Sequence, residues 1–280
     1  MNPYAWIKKP FFGRYMKPWA WPEQAERSAW TPLKFDNGRG AVLAGLYGET
    51  LGGGKARGNI VCAHPMGVEA KGYYLKYGHG QRLREGGFNV LLFDFNGFGE
   101  SGNGDILYPL DVVAAARALR ERAPGLPLGA LGLSFGAAWT LSALSEEEHG
   151  IQAVAVESAF TTLEEYWHRY LVPYVMLRVL TKVIPGVLGR LRPIVQMGTI
   201  RGSPSLLLIY GDQDTVTPPS MGERLIAASS LPEGRRSMWV VPGAKHVKAM
   251  TAAPEAYPQR LVAFFSEALG GRGEASAGAA

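Results

Sequence analysis

The chain has 280 residues and a mass of 30.3 kDa, with 47% hydrophobic and 19% charged residues, enough apolar chain for a sizeable core, which excludes a disordered protein. A lone cysteine, Cys62, excludes an internal disulfide and a multi-cysteine zinc site; the five histidines show no HExxH-type pairing, so no metal and no other cofactor is expected. The net charge of +5 gathers in residues 1–22 (Lys8, Lys9, Arg14 and Lys17 with no acid) and in residues 158–203 (six basic residues against Glu164 and Glu165); no dense recognition stripe accompanies it, which argues against a nucleic-acid partner.

Residues 1–30 form an aromatic and basic arm, with Trp6, Phe11, Phe12, Trp19 and Trp21 interleaved among the cations. Such a pattern suits a packed arm or dimer contact, or a peripheral membrane contact through residues 1–22. It has no apolar signal-peptide core, so a cytoplasmic setting is expected. Two alternating runs, 33–35 and 41–47, flank Asp36-Asn37-Gly38, whose Asn-Gly pair predicts a hairpin. From residue 59 the pattern changes to solid apolar runs at 60–63, 90–95, 128–133, 151–156, 206–210 and 238–241, the signature of strands buried on both faces. Helical periods at 73–85, 110–122, 135–145, 221–228 and 254–269 alternate with them. The prediction is an α/β domain over 31–270, with an eight-stranded, mostly parallel sheet and helices on both faces. The interval 158–203 is too long for one helix and predicts a helical cap insertion over the carboxyl edge of the sheet. Within it, residues 171–191 are broken by Pro173, Arg178, Lys182 and Pro185, so two short amphipathic helices are expected in place of a membrane span. The Gly/Ala-rich tail, 271–280, is expected to be disordered.

The run 128–133 leads into Gly132-Leu133-Ser134-Phe135-Gly136, a Gly-x-Ser-x-Gly string with a strand before it and an Ala-rich helical stretch after it. A sharp strand-to-helix turn strains the serine and leaves no room for side chains at the flanking glycines. A serine hydroxyl needs a base to take its proton and an acid to orient that base. Asp214, in Gly211-Asp212-Gln213-Asp214-Thr215-Val216-Thr217-Pro218, follows one predicted strand, and His246, in Pro242-Gly243-Ala244-Lys245-His246, follows the next. Ser134, Asp214 and His246 therefore stand in order at strand ends. Asp212 and Glu157 are alternative acids, although Asp212 suits a turn. An oxyanion hole requires backbone N–H donors: Phe135, after the serine, and Met66, in His64-Pro65-Met66-Gly67, since Pro65 has no N–H. His64 then braces that loop.

Two strings mimic phosphate sites. Gly97-Phe98-Gly99-Glu100-Ser101-Gly102 is followed by Gly104 and Pro109 where a phosphate-binding helix would have to begin, and Gly52-Gly53-Gly54-Lys55-Ala56 lacks the first glycine and the Ser/Thr of a P-loop. Cys62 lies inside a predicted strand and reads as a buried filler.

Together with Asp94-Phe95-Asn96-Gly97-Phe98-Gly99-Glu100-Ser101 and Glu157-Ser158-Ala159-Phe160, these motifs make residues 33–269 resemble the α/β-hydrolase superfamily, and more narrowly its serine aminopeptidase-like and bud-emergence-type branch of esterases, thioesterases and peptidases. The resemblance implies nucleophile, acid and base roles for Ser134, Asp214 and His246, and oxyanion donation by Met66 and Phe135. Pro65 departs from the glycine found in many relatives. The expected activity is hydrolysis of a small-molecule ester or thioester through an acyl-enzyme. A peptidase, an acyltransferase or perhydrolase with the same triad, and a non-catalytic binding protein are the alternatives. In the cap, Tyr166, Trp167, Tyr170 and Tyr174 would offer an apolar wall for substrate, unless they merely pack the cap against the sheet.

Overall fold

The computed structural model describes residues 3–168, 170–183 and 189–270. Strands β1 (Thr31–Asp36) and β2 (Val42–Gly48) pair antiparallel, with Thr31 opposite Tyr47 and Asp36 opposite Val42. The chain reverses between them through Gly38 and Gly40, at φ 73° and 85°, a region glycine enters without a Cβ clash. The Asn37 side-chain oxygen holds this turn by accepting from the Arg39 and Ala41 backbone N–H groups at 2.9 and 3.1 Å.

Strands β3 (Gly58–Ala63), β4 (Phe88–Phe93), β5 (Leu128–Leu133), β6 (Ala153–Glu157), β7 (Ser205–Gly211) and β8 (Arg236–Val241) complete one eight-stranded sheet in the order β1-β2-β4-β3-β5-β6-β7-β8. β2 meets β4 antiparallel, and every pair from β4 to β8 is parallel. Successive residues feed opposite cores: Ile60 and Cys62 join one apolar cluster while Val61 and Ala63 join the other, and Ala153 and Ala155 face away from Val154 and Val156. A strand buried on both sides must be apolar at every position, which is why these segments read as solid runs.

On one face of the sheet α4 (Tyr108–Arg122) packs beside α5 (Phe135–Ala143); on the other lie α3 (His79–Glu85) and the last described helix, α9 (Ala256–Gly270). The single helix expected over 73–85 is two, α2 (Gly72–Lys76) and α3, because Gly78 at φ 77° turns the chain between them. After β6 come α6 (Leu163–Trp167), α7 (Leu171–Val183) and α8 (Pro193–Gln196). The first of the two helices expected over 171–191 is α7; the second falls mainly on residues 184–188, with residues 189 and 190 helical after them. Residues 184–188 and the tail, 271–280, lie outside the described residues.

The N-terminal helix α1 (Pro3–Phe12) is built into the fold. Phe12 sits 5.4 Å from the Phe135 ring and 6.0 Å from that of Tyr108, and Phe11 packs on Trp167 at 5.9 Å. Lys8 is buried, donating to Asn103 Oδ1 at 3.2 Å, to the Gly104 carbonyl at 3.0 Å and to Asn96 Oδ1. Trp19 lies over the buried Lys71 ammonium at 4.9 Å. In this conformation Lys8, Phe11 and Phe12 are buried, whereas residues 13–22 stay partly or fully exposed. Among the described residues no helix is long and apolar enough to cross a membrane.

Candidate active site

The sequence forces a tight elbow between β5 and α5. Ser134 takes φ 50° and ψ −108°, a conformation that costs a non-glycine residue about 1–3 kcal/mol and persists only where its surroundings impose it. They do so by crowding: a Cβ on Gly136 would lie 1.9 Å from the Ala63 carbonyl oxygen, and one on Gly132 would lie 2.7 Å from the Ala137 Cα. Both glycines let the helix start close against β3 and β5. The serine hydroxyl is left at the carboxyl end of the sheet, where the loops after β7 and β8 also arrive.

His246 and Asp214 come from those loops. Ser134 Oγ lies 2.8 Å from His246 Nε2, and His246 Nδ1 lies 2.8 Å from Asp214 Oδ2. Asp214 is buried and fully engaged. Its Oδ1 accepts from the Val216 and Thr217 backbone N–H groups at 2.9 Å each, and its Oδ2 also accepts from Thr217 Oγ1 at 2.8 Å and Ser158 Oγ at 2.9 Å. Burial alone would raise its pKa, but the hydrogen bonds from His246 and Thr217, with the nearby imidazole, hold the carboxyl below its ordinary value.

The other two candidate acids stand apart from His246. Asp212 is exposed and accepts from the Gly243 backbone N–H at 2.7 Å, tying the two loops together. Glu157 is buried at the end of β6, where it accepts from the Ala249 N–H at 2.9 Å and from Tyr257 OH at 2.8 Å; burial pushes its carboxyl up. Glu157 thus anchors the segment after His246. Sequence reasoning missed Ser158 and Thr217 as partners of Asp214, although the hydroxyl three residues after the acid was a readable signal.

The loop after β3 carries Met66. His64 Nδ1 contacts the Pro65 carbonyl at 2.8 Å and its Nε2 accepts from the Phe95 N–H at 3.2 Å, which assigns the ring proton to Nδ1. Burial keeps this imidazole below its ordinary pKa, so it braces the loop as a neutral group. Among the described residues, the Met66 and Phe135 backbone amides donate to no protein acceptor. Cys62 is buried within β3, where desolvation pushes its thiol well up and away from nucleophilic chemistry. Among the described residues no group of three His, Cys, Asp or Glu side chains is placed to hold a metal ion.

Ser134, His246 and Met66 open into a cavity of about 190 Å³, whose walls also include Glu69, Tyr73, Tyr166 and Lys248. Of the four cap aromatics expected there, only Tyr166 lines it. Trp167 is buried against Phe11 and Phe12, Tyr170 is 53% exposed, and Tyr174 lines a separate groove with Glu164 and Arg178. Among the described residues the cap lends Tyr166 to this cavity, while Trp167, with Leu163, Leu177 and Leu191, lines a separate small apolar pocket beside Phe11 and Phe12. The cap's aromatics divide between packing, solvent and one place at the cavity.

A model of the serine aminopeptidase, S33, family matches residues 54–205. The chain belongs to that family of α/β-hydrolase enzymes. The chain is 28% identical over 196 residues to the uncharacterized protein YfhR of Escherichia coli, spanning 67% of this chain and 63% of YfhR. The chain thus spans less than two thirds of the length of that curated relative. Among solved structures, the esterase Pf2001 of Pyrococcus furiosus superposes with a TM-score of 0.71 at 19% identity, covering 90% of this chain and 97% of that one. The esterase domain of a Rhodothermus marinus protein gives 0.62 at 22% identity, covering 86% and 99%. At these identities the likeness is one of fold, and this serine aminopeptidase-family chain has the α/β-hydrolase fold.

Proposed function

We propose that this protein hydrolyses small-molecule esters by acyl transfer through Ser134. The supporting observation is the unbroken relay Ser134 Oγ to His246 Nε2 at 2.8 Å and His246 Nδ1 to Asp214 Oδ2 at 2.8 Å, opening on a cavity. Ser134 Oγ attacks the carbonyl carbon while His246 Nε2 takes the hydroxyl proton, and Asp214 stabilises the imidazolium. The Met66 and Phe135 N–H groups are free to receive the oxyanion, whose charge is greatest in the tetrahedral state. Collapse breaks the ester C–O bond, His246 returns the proton to the leaving alcohol, and the acyl group remains on Ser134. Water then adds by the same route, giving up its proton through His246, and the acid departs as the serine regains its hydrogen.

The cavity volume points to a short acyl group: about 190 Å³ is below the ~300–1,000 Å³ of pockets that enclose drug-sized ligands. An aminopeptidase would need an unengaged carboxylate for the substrate's amine. Among the described residues, Glu69 is the carboxylate that lines the cavity, and it already accepts from Lys76 at 3.1 Å, which favours the ester reading. The single, buried cysteine suits the cytoplasmic setting expected from the sequence.

The test is hydrolysis of para-nitrophenyl esters of graded acyl length beside Ser134→Ala. Acetate or butyrate should be the best substrates, and the alanine variant should lose at least ~10³-fold in kcat/KM. Failure to turn over any chain length, or an undiminished rate in Ser134→Ala, would refute the reading.

A further inference from the structure

The charged lining of the cavity is unbalanced. Glu69 is engaged by Lys76, whereas Lys248, which also lines the cavity, forms no ion pair among the described residues. Its ammonium is held on an aromatic shelf: Nζ lies 3.1 Å from Tyr77 OH, 4.3 Å from the centre of the Tyr77 ring and 5.9 Å from that of Tyr73. The shelf is itself fixed, because Tyr73 OH donates to the Val247 carbonyl at 2.8 Å and its ring lies 4.3 Å from that of Tyr77. Nearby His79 adds no charge, since burial and the neighbouring ammonium depress its pKa to about 3. A half-buried cation with its position set and no anion beside it attracts a negative group that enters the cavity.

We infer that Lys248 is a specificity-determining residue that recognises a carboxylate or phosphate on the leaving-group half of the substrate. The side is set by the chain: Lys248 follows His246 by two residues in one loop, and His246 is the group that must reach the leaving oxygen to protonate it. The inference rests on the ester reading above and narrows it to esters whose alcohol portion is anionic. A cationic alcohol portion would meet repulsion from the same ammonium.

Three aryl acetates that form the same acetyl-enzyme test this: meta-acetoxybenzoate, its neutral methyl ester, and the meta-trimethylammonio analogue. Each enzymatic rate is divided by the hydroxide-catalysed rate of the same ester, which removes differences in leaving-group reactivity. Wild type should favour the benzoate over the methyl ester by about tenfold in kcat/KM, mainly through KM, and should rank the cation last, in line with a charge-assisted contact. Lys248→Met should collapse that ratio, Lys248→Arg should preserve it, and raising the ionic strength should shrink it in wild type. Equal normalised rates on all three esters, or the same ratio in wild type and Lys248→Met, overturns the inference and leaves the ester reading intact. Calorimetric titration with meta-hydroxybenzoate separates the two claims. If no ester is hydrolysed yet this anion binds wild type more tightly than Lys248→Met, the ester reading fails and the anion site stands.

Discussion

Asp214→Asn changes one atom type at the centre of the relay, and its consequence follows from which partners can reverse roles. Asp214 Oδ1 accepts from two backbone amides, Val216 and Thr217, which can only donate. The asparagine oxygen must therefore stay beneath them, placing the NH2 group where Oδ2 faced His246 Nδ1, Thr217 Oγ1 and Ser158 Oγ. The two hydroxyls can rotate to accept. The imidazole can accept at Nδ1 only by moving its proton to Nε2, and a protonated Nε2 cannot take the proton of Ser134. Such a tautomer error costs about 10⁴ in rate, or about 5.5 kcal/mol at 1.36 kcal/mol per decade. Stability should suffer far less, by about 1–2 kcal/mol for the altered hydrogen bonds. Because the native Asp214 pKa lies below its unfolded value, its charge stabilises the fold above that value and ceases to do so as pH falls through the native pKa; the Asp214→Asn variant should lose this acid-side slope. The assay is kcat/KM on an aryl acetate, paired with a thermal melt and nitrogen NMR of the His246 ring. A folded variant within about tenfold of wild type would show that Asp214 does not set the tautomer.

Three further outcomes are expected. Gly136→Ala drives a methyl group to within 1.9 Å of the Ala63 carbonyl oxygen, so the elbow must shift; a loss of at least ~3 kcal/mol is expected by chemical denaturation, and an unchanged midpoint would contradict the crowding argument. Phe12→Ala removes a ring packed on Phe135 and Tyr108 and should cost about 3–5 kcal/mol; a negligible change would mean that the arm is not docked in solution. Burial lowers the pKa of Lys8 from 10.5 to about 8, so over that interval the unfolded chain binds the extra proton and stability should rise with pH relative to Lys8→Met; parallel pH–stability curves for the two proteins would refute it.

What was legible in the sequence is what local backbone demand writes there. The elbow glycines, Gly132 and Gly136, are required by contacts between adjoining elements, and the turn at Asn37-Gly38 by its own dihedral angles. Strand positions could be read because burial on two faces leaves β3 and β5 almost wholly apolar. The fate of the N-terminal arm was not legible. Alternating aromatics and lysines serve a bilayer and a packed arm equally well, and Lys8 finds Asn96 and Gly104 about ninety positions away. The cap misled for a related reason: composition counts Trp167, Tyr170 and Tyr174 as apolar, but only the path of the chain decides which of them faces the serine. Lys248 was overlooked because its adjacency to His246 carries meaning only once Tyr73 and Tyr77 are brought to it from residues some 170 positions away.

The most direct measurement is intact-protein and peptide mass spectrometry after rapid mixing with a slowly deacylating aryl ester, run on wild type and Ser134→Ala. Acyl transfer requires one added acyl mass, located on the peptide that carries Ser134, appearing with the burst of released phenol and missing from the alanine variant. Ester turnover with no covalent intermediate at any time point, or an acyl group carried by another residue at the same rate, would contradict it.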